Sequence, residues 1–115
     1  MGKHSFGKDE RVRKRRDFQQ TYSVGERIAT RHFVILLNRN PLGTSRLGIT
    51  VTKKIGSSVT RNRIKRLVRE FFRLNKEALP ASHDIIFIAR RSVVLARFHD
   101  VCEDLKESFR QHSHQ

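Results

Sequence analysis

Between Ser57 and Lys76 the chain reads SSVTRNRIKRLVREFFRLNK, and no other stretch holds a helical period for so long. At about 100° per residue, Ile64, Leu67, Val68, Phe71 and Leu74 gather on one side, with Phe72 at its margin. Asn62, Lys65, Arg66, Arg69, Arg73 and Lys76 gather on the other, and Arg63 borders them beside Glu70, the segment's single acid. The apolar side has to be covered, so the remaining elements must build a surface to receive it. The basic side has to meet either water or a polyanion. Solvated helices mix charge signs, because opposite charges at i,i+4 contribute ~0.2–0.5 kcal/mol per pair. This one stacks like charges a turn apart, a repulsion that a polyanion relieves. The stripe reads as a phosphate-binding surface, with an ordinary solvated face as the plainer alternative.

Charge elsewhere supports the first reading. The 115 residues carry a formal +14, of which residues 1–16 hold net +5 and residues 53–76 net +8. Residues 95–115 have three basic and four acidic side chains, so one end of the fold is nearly neutral. A length of 115 residues suits one domain with one core. Nucleic acid is the leading partner for such a chain and an anionic membrane surface the lesser one. No apolar run approaches the ~18 residues of a membrane span, and no secretory signal is evident, so the expected compartment is the cytoplasm. Cys102 is the single cysteine, which excludes an internal disulfide and a thiolate cluster. Its place in an apolar stripe marks it as a small core residue.

In chain order, residues 1–11 lack any period and read as a flexible basic arm, and residues 112–115 as a flexible tail. From Val12 the pattern turns helical, and Phe18 and Tyr22 stand four apart on a basic helix that ends at Gly25. Those two aromatics either enter the core or stay available to a ligand. In Ile28–Asn38 both alternating sets are apolar, Phe33/Ile35/Leu37 and Val34/Leu36. That suits a strand covered on both faces, or one open to something hydrophobic. Ser45–Thr52 alternates more cleanly, with Leu47, Ile49 and Val51 inward and Arg46, Gly48, Thr50 and Thr52 outward. A short connection containing Gly43 predicts that these two strands form a hairpin. HDIIFIAR, residues 83–90, is a short buried strand. From about Ser92 to Gln111, Phe98, Val101, Cys102, Leu105 and Phe109 keep the helical period. The order is α-β-β-α-β-α, an α+β single domain over residues 12–111, with a small mixed sheet and helices packed on one side.

The string KKIGSSVTRNRIKRLVREFF resembles the signature region of the protein subunit of bacterial ribonuclease P. The likeness covers about residues 11–111, taking in RDF, RLGITVTKKIG, the RNR helix and DIIFIAR. It implies a fold like the second domain of ribosomal protein S5, with a left-handed β-α-β crossover around the RNR helix. It also implies that a catalytic RNA subunit carries the chemistry, using Mg²⁺ to hydrolyse the phosphodiester at the 5′ end of precursor tRNA. The protein would bind that RNA and the single-stranded 5′ leader, without holding a metal itself. Carried onto this chain, contacts to the catalytic RNA fall on Arg61, Asn62, Arg63, Lys65, Arg66, Arg69 and Arg73. The leader-binding cleft falls on Phe18, Tyr22, Val34, Leu36, Thr50, Lys53 and Lys54. The chain departs from the family at Leu36, a position often aromatic there, which leaves one stacking platform fewer. Aromatics on a basic helix above an apolar strand suit single-stranded RNA, since bases stack on rings while cations follow phosphates.

A self-sufficient nuclease would need an acid–base pair or a metal set. His4, His112 and His114 fall in the terminal segments, while His32, His83 and His99 have no partner at a telling spacing. Asp17 and Asp84 read as isolated acids. A general RNA-binding or ribosomal protein is the alternative that fold and charge would serve equally. A helix-turn-helix DNA reader would place a partner helix just before the basic one, and here a strand and loop precede it. DNA and membrane are therefore not expected partners.

Overall fold

The computed structural model of the chain describes residues 10–113; residues 1–9 of the expected arm and the end of the expected tail lie outside these. The long segment folds as α2, Ser58–Leu74. Ser57 opens it, its hydroxyl accepting the Thr60 N–H at 3.3 Å, which satisfies one of the helix's unpaired first donors. The buried stripe is Ile64, Val68, Phe71 and Phe72, with Leu67 partly covered. It lies slightly further round the helix than the expected one: Phe72 is 1% exposed and Leu74 40%. The side-chain amide of Asn75 donates to Phe71 O at 2.9 Å, and a 3-10 turn at Lys76–Ala78 then delivers Leu79, rather than Leu74, to the core.

The other elements are α1 (Arg15–Val24), β1 (Glu26–Ala29), β2 (Phe33–Arg39), β3 (Arg46–Thr50), β4 (His83–Ala89) and α3 (Phe98–Ser113). The four strands lie in the order β1-β2-β4-β3; β1/β2 and β2/β4 are antiparallel, and β3/β4 are parallel. The fold is the expected α+β domain, but β2 and β3 do not form a hairpin, because β4 lies between them. Burial explains this. β4 is apolar on both faces, with Ile85, Ile86 and Phe87 all at 0% exposure, and only a central position covers both. β3, with glycine and polar residues on one face, takes the edge, and α2 supplies the crossover that parallel neighbours require.

Three further differences have local causes. The apolar stretch expected as one strand divides at Thr30, whose hydroxyl accepts the N–H groups of His32 at 3.3 Å and Phe33 at 2.9 Å. The resulting turn makes β1 and β2 the hairpin. Val12 is not helical: its N–H donates to Leu47 O at 2.8 Å, and Arg11 bridges to Leu47, which covers the outer edge of β3. The segment from Ser92 divides into a 3-10 turn at Arg91–Leu95 and then α3, which runs through His112 instead of leaving it in a tail.

Helices cover both faces of the sheet, not one. Phe33, Ile35, Leu37, Leu47, Ile85 and Phe87 face α2 and α3, meeting Val68, Phe71, Val101, Leu105 and Phe109. The alternate residues Leu36, Gly48 and Ile86, in register with one another, face α1. Phe18 lies over Gly48, where an added Cβ would come within 2.8 Å of the ring and 3.2 Å of Ile86. Glycine there permits the helix to sit directly on the sheet.

Candidate nucleic-acid interface

The α2 residues divide by what holds them. Asn62, Arg66 and Arg69 are exposed, and Arg61 and Lys65 half-buried. Arg61 donates to Ser58 Oγ at 3.2 Å, which keeps it beside the first turn. Arg63 turns away from this group. Its guanidinium donates to Val94 O at 3.2 Å and also to Ala96 O, fastening α2 to the segment before α3. Arg73 pairs with Glu70 at 2.5 Å. That contact holds the Glu70 carboxyl below the usual range and the Arg73 guanidinium above its own. Of the seven expected side chains, Arg63 thus fastens two elements and Arg73 is held in an ion pair, while the other five stand along the outer side of α2.

The opposite sheet face is partly open. Along one row Val34 pairs with Ile88 and Ile88 with Thr50, all half-exposed. Tyr22 leans over this row, 46% exposed, its hydroxyl 3.0 Å from Thr50 Oγ1. Phe18 is half-buried, so the two aromatics share the roles left open for them: Phe18 packs on the sheet and Tyr22 stays accessible. Leu36 is 2% exposed beneath α1 and supports the cleft from below without offering a surface. Lys53 and Lys54 stand exposed in the turn just beyond β3. Ile88 belongs to this row and was not singled out from sequence; its alternation with Phe87 is the signal that would have found it.

Between these two regions runs a groove of about 170 Å³, lined by Arg11, Arg13, Phe18, Gly48, Lys65 and Arg69 among others. It wraps the β3 edge, so the basic face of α2 and the aromatic face under α1 are continuous. A larger concavity, about 800 Å³, lies between the β1–β2 turn and α3. Its wall sets Asp100, Glu103, Asp104 and Glu107 against Arg31, Lys106 and Arg110, a near balance of charge that gives a polyanion little hold.

Asp17 and Asp84 are not isolated. Asp84, 4% exposed, accepts Arg46 Nε at 2.8 Å and Nη2 at 2.7 Å, together with Asn40 Nδ2 at 3.0 Å. Asp17 stands 3.4 Å from the same Nη2. The Asp84 hydrogen bond raises the Arg46 guanidinium against the opposing effect of burial, so its charge is fixed. Burial also raises the Cys102 thiol, which suits a packing residue. His112 Nε2 lies 3.3 Å from Glu26. Among the described residues no three histidine, cysteine or acidic side chains converge to hold a metal ion, and no helix is long and apolar enough to cross a membrane.

Fold and site together define a small basic α+β domain whose cationic helix and aromatic cleft suit a polyanion with unstacked rings. The family model for ribonuclease P matches residues 6–113. The ribonuclease P protein component of Syntrophus aciditrophicus (strain SB) is 52% identical over 105 residues, spanning 91% of this chain and 88% of that protein. Among solved structures, the Thermotoga maritima RNase P protein superposes with a TM-score of 0.81 at 38% identity, covering 89% of this chain and 96% of that one. The Staphylococcus aureus RNase P protein gives 0.82 at 36%, covering 90% and 94%. The chain belongs to the ribonuclease P protein family. It is the protein subunit of a ribonucleoprotein endonuclease and works with an RNA partner in tRNA 5′ processing.

Proposed function

We propose that this subunit divides its RNA contacts between two joined surfaces. Arg61, Asn62, Lys65, Arg66 and Arg69 on α2 bind the catalytic RNA subunit. The cleft of Phe18, Tyr22, Val34, Ile88 and Thr50, with Lys53 and Lys54 beyond it, takes the single-stranded 5′ leader of precursor tRNA. The groove joining the two across the β3 edge carries this reading. It brings the two bound RNAs, leader and catalytic subunit, together along one continuous surface. Tyr22 offers a ring face to a base, and the cations neutralise phosphates, releasing their counterions.

Chemistry stays with the RNA on this reading. Among the described residues no three acids, histidines or cysteines converge to hold a metal, and Asp17 and Asp84, beside α1 and in the sheet, are both turned toward Arg46. Mg²⁺ ions for hydrolysis are then held by the RNA subunit. The protein raises substrate affinity in the cytoplasm, with DNA and membrane outside its range. The test compares binding of leader-bearing precursor and mature tRNA by the assembled holoenzyme. Tyr22→Ala should weaken only the former, by about 1–3 kcal/mol if the ring stacks on a base, while assembly with the catalytic RNA holds. Equal loss for both substrates, or none, would remove Tyr22 from the leader path.

A further inference from the structure

The seating of α1 on the sheet uses an arrangement that RNA contact does not explain. Arg46 and Asp84 lie directly opposite one another on parallel neighbours β3 and β4. Their side chains meet through two hydrogen bonds, and Asn40 supplies Asp84 with a third. Asp84 is 4% exposed, so this pair is fixed to the sheet and complete in itself. Arg46 nevertheless extends Nη2 to Asp17, in the first turn of α1, at 3.4 Å. The next residue is Phe18, resting on Gly48 two positions along β3. One turn further on, Tyr22 meets Thr50, two positions along again. Helix and strand thus run side by side, in contact at three successive points. The charged contact stands at the end away from the open row.

Resting on the reading of that row as the leader cleft, we infer that Arg46 is a positioning residue for it. It transmits the fixed geometry of Asp84 to Asp17 and so sets where Phe18 and Tyr22 stand above Val34, Ile88 and Thr50. Arg46 touches no RNA in this role. An arginine near an RNA site would ordinarily be taken as one more phosphate contact, and the two roles predict opposite signs for one substitution. Asp17→Asn removes a negative charge from a partly exposed position. If net charge governs, every RNA should bind more tightly. If position governs, binding of leader-bearing substrate should weaken although the protein has become more basic.

The experiment assembles the protein with its catalytic RNA and measures dissociation constants for leader-bearing precursor and mature tRNA across a salt series. Asp17→Asn should lower the preference for the leader-bearing substrate about two- to fivefold, the size expected of a half-exposed ion pair. Mature tRNA binding and the salt slope should hold, and Asp17→Glu should recover most of the preference. Tyr22 is the single tyrosine and the chain has no tryptophan, so intrinsic emission reports on α1 alone. Its response to a leader oligonucleotide should shrink in Asp17→Asn while the melting temperature changes little. Uniformly tighter binding of both RNAs would overturn the inference. So would an unchanged preference in Asp17→Asn when Phe18→Ala or Tyr22→Ala abolishes it, an outcome that leaves the cleft standing. Should neither aromatic substitution alter the preference, the cleft reading fails and the positioning role fails with it.

Discussion

Helices α2 and α3 are near equals inside the molecule and opposites outside it. Both lay an apolar stripe on the same sheet face, α2 through Ile64, Val68 and Phe71, α3 through Val101, Leu105 and Phe109. On α3 the outer polar groups answer one another. Arg110 pairs with Glu107 at 2.6 Å, His99 meets Glu103 at 2.8 Å, and Asp100 accepts the Arg97 N–H at 2.9 Å. On α2 Glu70 pairs with Arg73, and Arg61, Lys65, Arg66 and Arg69 run along the helix without an acid among them. Packing against the sheet requires only the inner stripe, so the outer face of each helix is free to answer a different demand. α3 answers most of its charges within the molecule, and on the proposed reading α2 presents its own to RNA.

The largest expected effects should show the two helices to be alike. Phe71→Ala should cost about 3–5 kcal/mol and Leu105→Ala about 2–5 kcal/mol, each through a cavity in the shared core, read from denaturant midpoints. A loss confined to one helix would break the equivalence.

Next in size come substitutions that should separate them. Arg66→Ala with Arg69→Ala should leave stability within about 0.5 kcal/mol. Each lost phosphate contact should reduce the log–log salt slope of RNA binding by roughly 0.7–0.9. Lys106→Ala with Arg110→Ala removes as much charge from α3 and should leave that slope unchanged. Equal slopes for the two double variants would mean that net charge, not the α2 face, governs binding.

Sulfate or pyrophosphate should raise the melting temperature by binding the native protein preferentially. The α2 double variant should lose that response and the α3 variant keep it. An increase that survives in both would disperse the anion site over the whole surface.

The smallest effect is on acid stability. The guanidinium beside each of Glu70 and Glu107 lowers its carboxyl. Their contributions are therefore complete above the ordinary glutamate value, about 4.3, and fade as pH falls through the lowered native values. Glu70→Gln and Glu107→Gln should both flatten the melting profile slightly below about pH 4. Only Glu70→Gln should also tighten RNA binding at low salt, because it removes the negative charge from the α2 face. Tighter binding from Glu107→Gln as well would erase the distinction between the helices.

What the sequence by itself determined is the division of each helix into inner and outer faces, and with it the basic surface. That information is local: a period of 3.6 places Val68 and Arg66 on different sides whatever the helix packs against. The α+β class and the aromatics at Phe18 and Tyr22 were legible in the same way. Strand pairing was not, because local alternation states how much of a strand is buried and not which strand buries it. β4 separates β2 from β3 because a strand apolar on both faces is best covered at the centre, a comparison among all the strands at once. Nor could the spacing of residues show that Arg63 reaches the Val94 and Ala96 carbonyls, or that Arg46 holds both Asp84 and Asp17. A charged side chain on a surface stripe and one fastening two elements look identical in sequence. They differ only in what stands within about 3 Å, and the tertiary structure decides that.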